Sequence, residues 1–322
     1  KILDPFMGGG TSLVEASRFG AEVVGNDLNP VAWFVTKKEL EAGQTDVEEL
    51  EEAFEQVKED VADEITQYYK TPCPNGDHDA DVMYNFWVKE LDCVSCGHTV
   101  PLFNDFRVAS GRYEHDDQDA VFCPSCEEVV YIEDYKQESR CGNCGHNWVP
   151  KEGNTSRGGK YTCSDCGQKY SIVDAIDEQD GYDTQLYAVE YYCEVCDDNG
   201  KSKGECKSYK SATDADYELL DDARNEWKQQ DELRDYVPSE QIPEGAITAA
   251  SSVSGNDLFQ HKYEKWTDMY NDRQLLCLSR LLRAISDIED KSSREFLLLT
   301  FSESLNYNTI MNVYNPNYNK NT

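Results

Sequence analysis

The sequence predicts an α/β protein that carries an inserted β-rich module and ends in helices. Residues 1–45 alternate apolar, strand-like runs with helical segments around a glycine-rich loop. Residues 71–210 replace long periodic segments with cysteine pairs, glycine turns and short aromatic-rich strands, and residues 211–322 return to helical periodicity. We therefore expect three segments, 1–70, 71–210 and 211–322.

The composition is strongly acidic. The chain has 63 Asp and Glu residues against 30 Lys and Arg residues, a formal charge of −33, which repels polyanions at ordinary salt. Molar salt shortens the Debye length to about 3 Å and relieves this repulsion. The composition therefore favours a halophilic source, with an acidic mesophilic protein that binds another protein as the alternative.

The apolar runs predict no membrane helix, because none approaches the roughly 20 apolar residues that such a helix requires. The chain begins at Lys1, without an initiator methionine, and runs directly into Ile2 and Leu3. We therefore expect the sequence to be a fragment whose natural N-terminus lies further upstream.

A glycine-rich loop joins the first predicted strand to the first predicted helix. Residues 4–11 read DPFMGGGT, at the strand-to-helix junction where open α/β sheets bind their ligands. The next strand ends at Asp27, followed by Leu28 and the candidate helix cap Asn29. A carboxylate at that strand end can accept hydrogen bonds from the ribose hydroxyls of an adenosine-containing cofactor, and Leu28 is a candidate neighbour of its adenine.

Two other cofactor classes are disfavoured by the residues around the glycines. A phosphate-binding P-loop needs Gly-Lys-Ser/Thr, whereas Gly10 is followed directly by Thr11. A dinucleotide fingerprint needs a third glycine where this sequence has Leu13. S-adenosylmethionine, which has no pyrophosphate, remains. The alternative is a glycine turn with a purely structural role.

Further helical periodicity is found in residues 46–69, 213–234 and 267–311. The first of these segments has an acidic outer face and is typical of a solvated amphipathic helix. Cys277 lies in the third segment, and we interpret it as a packed core thiol rather than a nucleophile.

Ten of the thirteen cysteines form Cys-x-x-Cys pairs. The pairs are Cys93/Cys96, Cys123/Cys126, Cys141/Cys144, Cys163/Cys166 and Cys193/Cys196. Such spacing indicates tetrahedral zinc in a reducing compartment, and so predicts a cytoplasmic protein. Closed four-sulfur sites leave no position for a substrate, so we expect structural zinc.

The spacing leaves the pairing of these knuckles open. A sequential scheme joins 93/96 with 123/126 and 141/144 with 163/166. A nested scheme joins 93/96 with 163/166 around a smaller site. The fifth pair needs outside ligands, and Cys206 with Cys73 would complete a third set, with His98 and His146 as candidate substitutes. We expect two zinc ions, or three if this last set binds one.

With these pieces the chain resembles the zinc-ribbon-containing adenine-specific DNA methylases. The resemblance rests on five blocks: LDPFMGGGTSLVEASRFGAEVVGNDLNPVAW, LDCVSCGHTVPLF, GNTSRGGKYTCSDCG, KWTDMYNDRQLLCLSRLL and FLLLTFSESLNYNTIM. It implies a partial Rossmann-like methyltransferase fold, and it slightly favours the nested pairing. The cofactor residues that it implies are Asp4, Phe6, Gly8, Gly10, Thr11 and Asp27.

The resemblance also implies an activity. Family members transfer a methyl group from S-adenosylmethionine to N6 of adenine in double-stranded DNA, on a base flipped out of the duplex. Restriction-modification or defence is the expected setting, with other defence-system proteins as candidate partners. An RNA methyltransferase acting on tRNA or rRNA, and a non-catalytic zinc-ribbon binding module, are the alternatives.

The catalytic element of such enzymes is an Asp/Asn-Pro-Pro-Tyr tetrapeptide. The nearest match here is Asn315, Pro316 and Tyr318, but Asn317 stands where the second proline belongs. We disfavour this match and expect the tetrapeptide beyond Thr322, so that the fragment would bind the methyl donor without transferring the methyl group.

Overall fold

A computed structural model describes residues 1–111, 117–245, 258–312, 314–315 and 320–321. Its α-helices are α1 (Thr11–Arg18), α2 (Pro30–Glu41), α3 (Val47–Thr66), α4 (Ile172–Gln179), α5 (Glu194–Asp198), α6 (Lys203–Cys206), α7 (Asp214–Gln229), α8 (Asp272–Ser286) and α9 (Lys291–Tyr307). Short 3-10 helices span Ala42–Gln44, Gln67–Tyr69, Asp231–Tyr236, Phe259–His261 and Trp266–Met269.

The strands are mostly short. They are β1 (Ile2–Asp4), β2 (Val23–Gly25), β3 (Lys70–Pro72), β4 (Asp79–Asp92), β5 (Thr99–Pro101), β6 (Arg107–Ala109), β7 (Asp119–Phe122), β8 (Val129–Ile132), β9 (Ser139–Arg140), β10 (Asn147–Trp148), β11 (Thr155–Ser156), β12 (Lys160–Thr162), β13 (Lys169–Ser171), β14 (Asp183–Tyr192), β15 (Lys207–Ser211), β16 (Tyr314–Asn315) and β17 (Lys320–Asn321). The chain forms two compact units, one of residues 1–65 and 277–308 and the other of residues 66–276 and 309–322.

The first unit begins with a parallel strand pair. Strands β1 and β2 run side by side with Leu3 opposite Val24, and α1 connects them. A Cβ added at Gly25 would lie 2.3 Å from the Leu13 side chain of α1, so this glycine lets the helix pack closely on the sheet. This order of strand, glycine loop, helix, strand and helix confirms the predicted α/β class for residues 1–45.

The rest of the first unit is helical. The apolar face of α3 packs against α9 and the part of α8 from Cys277 onward; the buried residues of this core are Ala53, Val57, Val61, Ala284, Ile285, Ile288, Leu297 and Phe301. Lys38 of α2 is fully buried, and its ammonium lies 3.1 Å from a carboxylate oxygen of Glu295 on α9. Burying a charge requires such a partner, so this ion pair fixes α2 against α9.

The second unit is a collection of small sheets. The largest has the strand order β15-β14-β4-β3, with β5 also paired to β4. Separate antiparallel sheets are formed by β6-β7-β8, by β9-β10 and by β11-β12-β13. One core cluster is aromatic and includes Phe86, Phe103, Phe106, Phe122 and Trp148. Another contains Cys93 and Cys163 together with Leu91, Val100 and Tyr161.

Helix boundaries differ from the sequence prediction in two places. The segment predicted as one helical stretch over residues 267–311 contains two long helices, because the Asp290 side chain accepts a hydrogen bond from the Ser293 amide at 2.6 Å and so caps the start of α9. The β-rich module also contains the short helices α4, α5 and α6. Of the helices described, none is both long enough and apolar enough to cross a membrane.

Candidate cofactor loop and metal centres

The glycine loop is held at the ends of the two parallel strands by backbone hydrogen bonds. The Met7 amide donates to the Asn26 carbonyl at 3.1 Å, and the Asn26 amide donates to the Asp4 carbonyl at 2.9 Å. The Asp4 carboxylate accepts the Phe6 amide at 3.1 Å and the Ser12 hydroxyl. Asp4 therefore positions the loop through its own side chain.

Asp27 connects this loop to the end of β2. One carboxylate oxygen accepts the Gly8 amide at 2.9 Å, and the other accepts the Asn29 amide at 2.8 Å. The Asn29 and Gly8 amides lower the pKa of Asp27 below its ordinary value, so the group is a carboxylate at neutral pH. A carboxylate has about four acceptor positions, which leaves room for two ligand hydroxyls.

The three glycines have different backbone conformations. Gly8 and Gly10 have φ angles of 52° and 77°, in the left-handed region, whereas Gly9 does not. A Cβ on Gly10 would lie 2.5 Å from the Thr36 side chain, but no atom lies within 4 Å of a Cβ added at Gly8 or Gly9. The two left-handed positions, Gly8 and Gly10, are the two glycines among the predicted cofactor residues. The space next to Gly8 is open.

Two apolar side chains at the loop are exposed. Phe6 is 83% exposed and Leu28 is 96% exposed. Thr11 is also exposed, as the first residue of α1, and this helix begins without a side-chain cap. The predicted cofactor residues thus lie together at the carboxyl ends of β1 and β2.

Four of the five cysteine pairs form knuckles of one geometry. In the first knuckle the Cys93 amide donates to the His98 carbonyl and the Gly97 amide donates back to the Cys93 carbonyl. The knuckles at Cys123, Cys141 and Cys163 repeat both bonds. The residue whose amide donates to the first cysteine carbonyl has a left-handed backbone conformation in each knuckle. It is glycine in all except the second knuckle, where Glu127 has a φ of 58°.

The knuckles come together in the nested arrangement. Cys93 and Cys96 meet Cys163 and Cys166, while Cys123 and Cys126 meet Cys141 and Cys144. Cross-pair sulfur distances are 3.6 and 3.8 Å in the first set and 3.7 and 3.8 Å in the second. Four sulfurs at about 2.3 Å from one zinc ion lie about 3.8 Å apart in a tetrahedron. Both sets therefore have the dimensions of a four-cysteine zinc centre.

The third set differs from the expectation. Cys73, Cys193 and Cys196 come together with His78, rather than with Cys206. The His78 Nε2 lies 3.0 Å from the Cys193 sulfur and 3.5 Å from the Cys196 sulfur. Cys206 is buried nearby, but its thiol donates to the Lys201 carbonyl at 3.6 Å.

His98 and His146, the candidate substitutes, belong to none of the three sets. Both serve their knuckles through their backbone carbonyls, and the His146 ring stacks on Trp148. The spacing Cys73-x4-His78 on the β3–β4 hairpin was the signal that could have pointed to the missed ligand. The donors of all three sets, thiolates and one imidazole, are those that zinc prefers.

His78→Ala is expected to lower the metal content by one ion per chain, because it removes one of four donors from the most buried of the three sets. His98→Ala is the matched control and should retain the wild-type content. Elemental analysis of the dialysed proteins measures the difference. Equal metal content in both variants would remove His78 from the ligand set.

The disfavoured catalytic match lies at the edge of the described chain. The backbone of Asn315 belongs to β16, which pairs antiparallel with β17. Pro316 and Tyr318 lie outside the residues that the structure describes.

Comparison with known proteins bears on the cofactor prediction. Over 37 residues the chain is 54% identical to the Type II methyltransferase M.MvaI of Kocuria varians. Part of this chain is similar to a methyltransferase. The matched segment covers 12% of this chain and only 8% of that relative. No protein family matches the chain, and no solved structure matches it.

Proposed function

We propose that the first unit binds S-adenosylmethionine and that the chain is part of a DNA methyltransferase acting on N6 of adenine. The observation that carries the proposal is the link between the loop and the second strand: Asp27 accepts the Gly8 amide while the left-handed Gly8 leaves the space before it open. The short similarity to a Type II methyltransferase supports methyl transfer, and the choice of adenine N6 rests on the resemblance of the sequence blocks described above.

The residues present fit this cofactor. Asp27 has unused acceptor positions for the two ribose hydroxyls, and Leu28 offers an exposed apolar surface to the adenine. The amides at the uncapped start of α1 favour an anion such as the carboxylate of the methionine moiety. When bound, the cofactor supplies the methyl group, and this chain positions it. The strand and helix order of residues 1–45 is that expected of a Rossmann-like methyltransferase fold.

The metal centres have a structural role in this proposal. Each set has four protein donors, which leaves no position for a substrate or water. Zinc there would link strands that are too short to be stable alone.

Calorimetry on the zinc-loaded chain tests the cofactor assignment. S-adenosylmethionine and its demethylated product should bind, whereas ATP and NAD should not. A folded, metal-loaded chain that binds neither methyl-donor compound would contradict the proposal. Methyl transfer from labelled cofactor to matched DNA and tRNA substrates, measured separately, distinguishes a DNA enzyme from an RNA enzyme.

A further inference from the structure

Basic residues are unevenly distributed along this acidic chain. Residues 139–173 contain only two acidic residues, Glu152 and Asp165, although the chain as a whole has 63 in 322 positions. The same segment contains five basic residues: Arg140, Lys151, Arg157, Lys160 and Lys169. The difference, five minus two, gives a local charge of +3 inside a protein of −33.

Two of these cations, Lys160 and Lys169, belong to one small sheet beside the set of Cys93, Cys96, Cys163 and Cys166. In the β11-β12-β13 sheet, Thr162 lies opposite Lys169, and Lys160 lies two residues before Thr162. Directly opposed residues and residues two apart share a face, so Lys160 and Lys169 project on the same side. Both are exposed, whereas Tyr161, on the other side, is fully buried.

The turn before this strand adds a third cation and an open backbone. Arg157 is exposed, and Gly158 and Gly159 follow it with φ angles of 90° and 67°. No atom lies within 4 Å of a Cβ added at either glycine. We call the surface formed by Arg157, Lys160 and Lys169 the basic face; the hydroxyls of Thr162 and Ser171 belong to the same sheet.

Within the described chain, no carboxylate forms an ion pair with Arg157, Lys160 or Lys169. The other lysine-rich segment, residues 199–213, contrasts with this face. There Lys207 pairs with Glu190 at 3.7 Å and Lys210 pairs with Asp216 at 3.4 Å.

We propose that the basic face of the first metal centre binds the phosphate backbone of DNA. Unpaired, exposed cations beside hydroxyl groups are the donors that hold phosphates without reading sequence. The remaining surface is dominated by acidic groups that repel a polyanion. The nucleic acid is therefore expected to approach the face whose cations form no ion pairs. This inference rests on the proposed function, since it assigns the surface that grips the DNA.

The test is a triple variant with a matched control. Arg157→Gln, Lys160→Gln and Lys169→Gln remove the basic face. The control, Arg18→Gln, Lys58→Gln and Arg224→Gln, makes the same charge change at exposed helix positions whose cations already pair with acidic neighbours. Fluorescence anisotropy of a labelled DNA duplex is measured over a series of salt concentrations for the full, zinc-loaded chains.

The basic-face variant should bind DNA at least about tenfold more weakly than the control, and the slope of log affinity against log salt should be shallower by about 2.7, or about 0.9 for each lost phosphate contact. Equal weakening in both variants would overturn the proposal, since it would show a general charge effect. Loss of self-association in the variant with unchanged DNA binding would also overturn it, in favour of contact with the acidic surface of a second copy.

Two further measurements keep the result decisive. Lysine acetylation of the wild-type chain, mapped by mass spectrometry, should show Lys160 and Lys169 protected by DNA while Lys58 is not; absent protection would overturn the proposal even if the variant fails to fold. Calorimetry with S-adenosylmethionine should give the same affinity for both variants. A chain that binds no cofactor but loses DNA binding only in the basic-face variant would contradict the proposed function and leave this inference standing.

Discussion

Removal of zinc by a strong chelator is expected to unfold the small sheets of the second unit and to leave the helical core of the first unit folded. Apart from the β4–β5 hairpin that carries Cys93 and Cys96, the sheets around the two four-cysteine sets contain only two or three strands each, and sheets of that size are marginal in water without further support. Structural zinc contributes on the order of 10 kcal/mol to the folding of such modules.

Hydrogen exchange measured by mass spectrometry locates the change. Protection should be lost over residues 93–171 and retained in α3 and α9. Circular dichroism should lose strand signal, and readdition of zinc should restore it. An unchanged spectrum after verified metal removal would contradict the structural role.

Single substitutions separate ligands from other cysteines. Cys163→Ser removes a donor from the set of Cys93, Cys96, Cys163 and Cys166 and should reproduce the exchange pattern of the chelated chain around that set. Cys277→Ser is the matched control, because this buried thiol belongs to none of the three sets. Loss of metal from the control would show that the assignment of the ligands is incomplete.

Asp27→Ala should weaken S-adenosylmethionine binding by about tenfold or more, because it removes a charged acceptor of hydrogen bonds. The loss includes an indirect part, since the same carboxylate holds the Gly8 amide and therefore the loop. Asp27→Asn keeps one acceptor oxygen and should be less severe. Calorimetry measures both variants.

Asp46→Ala is the control for this substitution. Asp46 also accepts backbone amides, from Glu48 and Glu49 at the start of α3, but it lies outside the loop. Its removal should leave cofactor affinity unchanged, and equal losses in the two variants would remove Asp27 from the site. Because its pKa is lowered, Asp27 keeps its charge at mildly acidic pH, and the binding it supports should be lost only as the pH falls through that lowered value.

Local signals in the sequence were sufficient for the elements of residues 1–45 and for the knuckles. The strand-loop-helix order follows from apolar runs and glycines that are neighbours in the chain, and each knuckle is closed by hydrogen bonds within six residues. The break between α8 and α9 also had a local signal, the capping residue Asp290, which the leucine periodicity on either side obscured.

The pairing of the knuckles depends on contacts that no local pattern contains. Strand β4 pairs with β14 about a hundred residues later, and this pairing brings Cys73 and His78 of one hairpin to the start of α5, where Cys193 is the N-cap. The third ligand set is thus a product of sheet assembly. Spacing along the chain suggested Cys206, which lies close in sequence and in space but whose thiol faces a carbonyl.

Because the three metal sets are nested in the sequence, they are completed in a fixed order during synthesis. The innermost set is complete when Cys144 has been synthesised, the next when Cys166 has, and the outermost when Cys196 has. Each loop closes around one that is already closed, so the entropy lost at every step is that of a shorter free segment. During synthesis, metal can therefore bind from the inside outward, and the ligands made first, Cys73 and His78, wait longest for their partners.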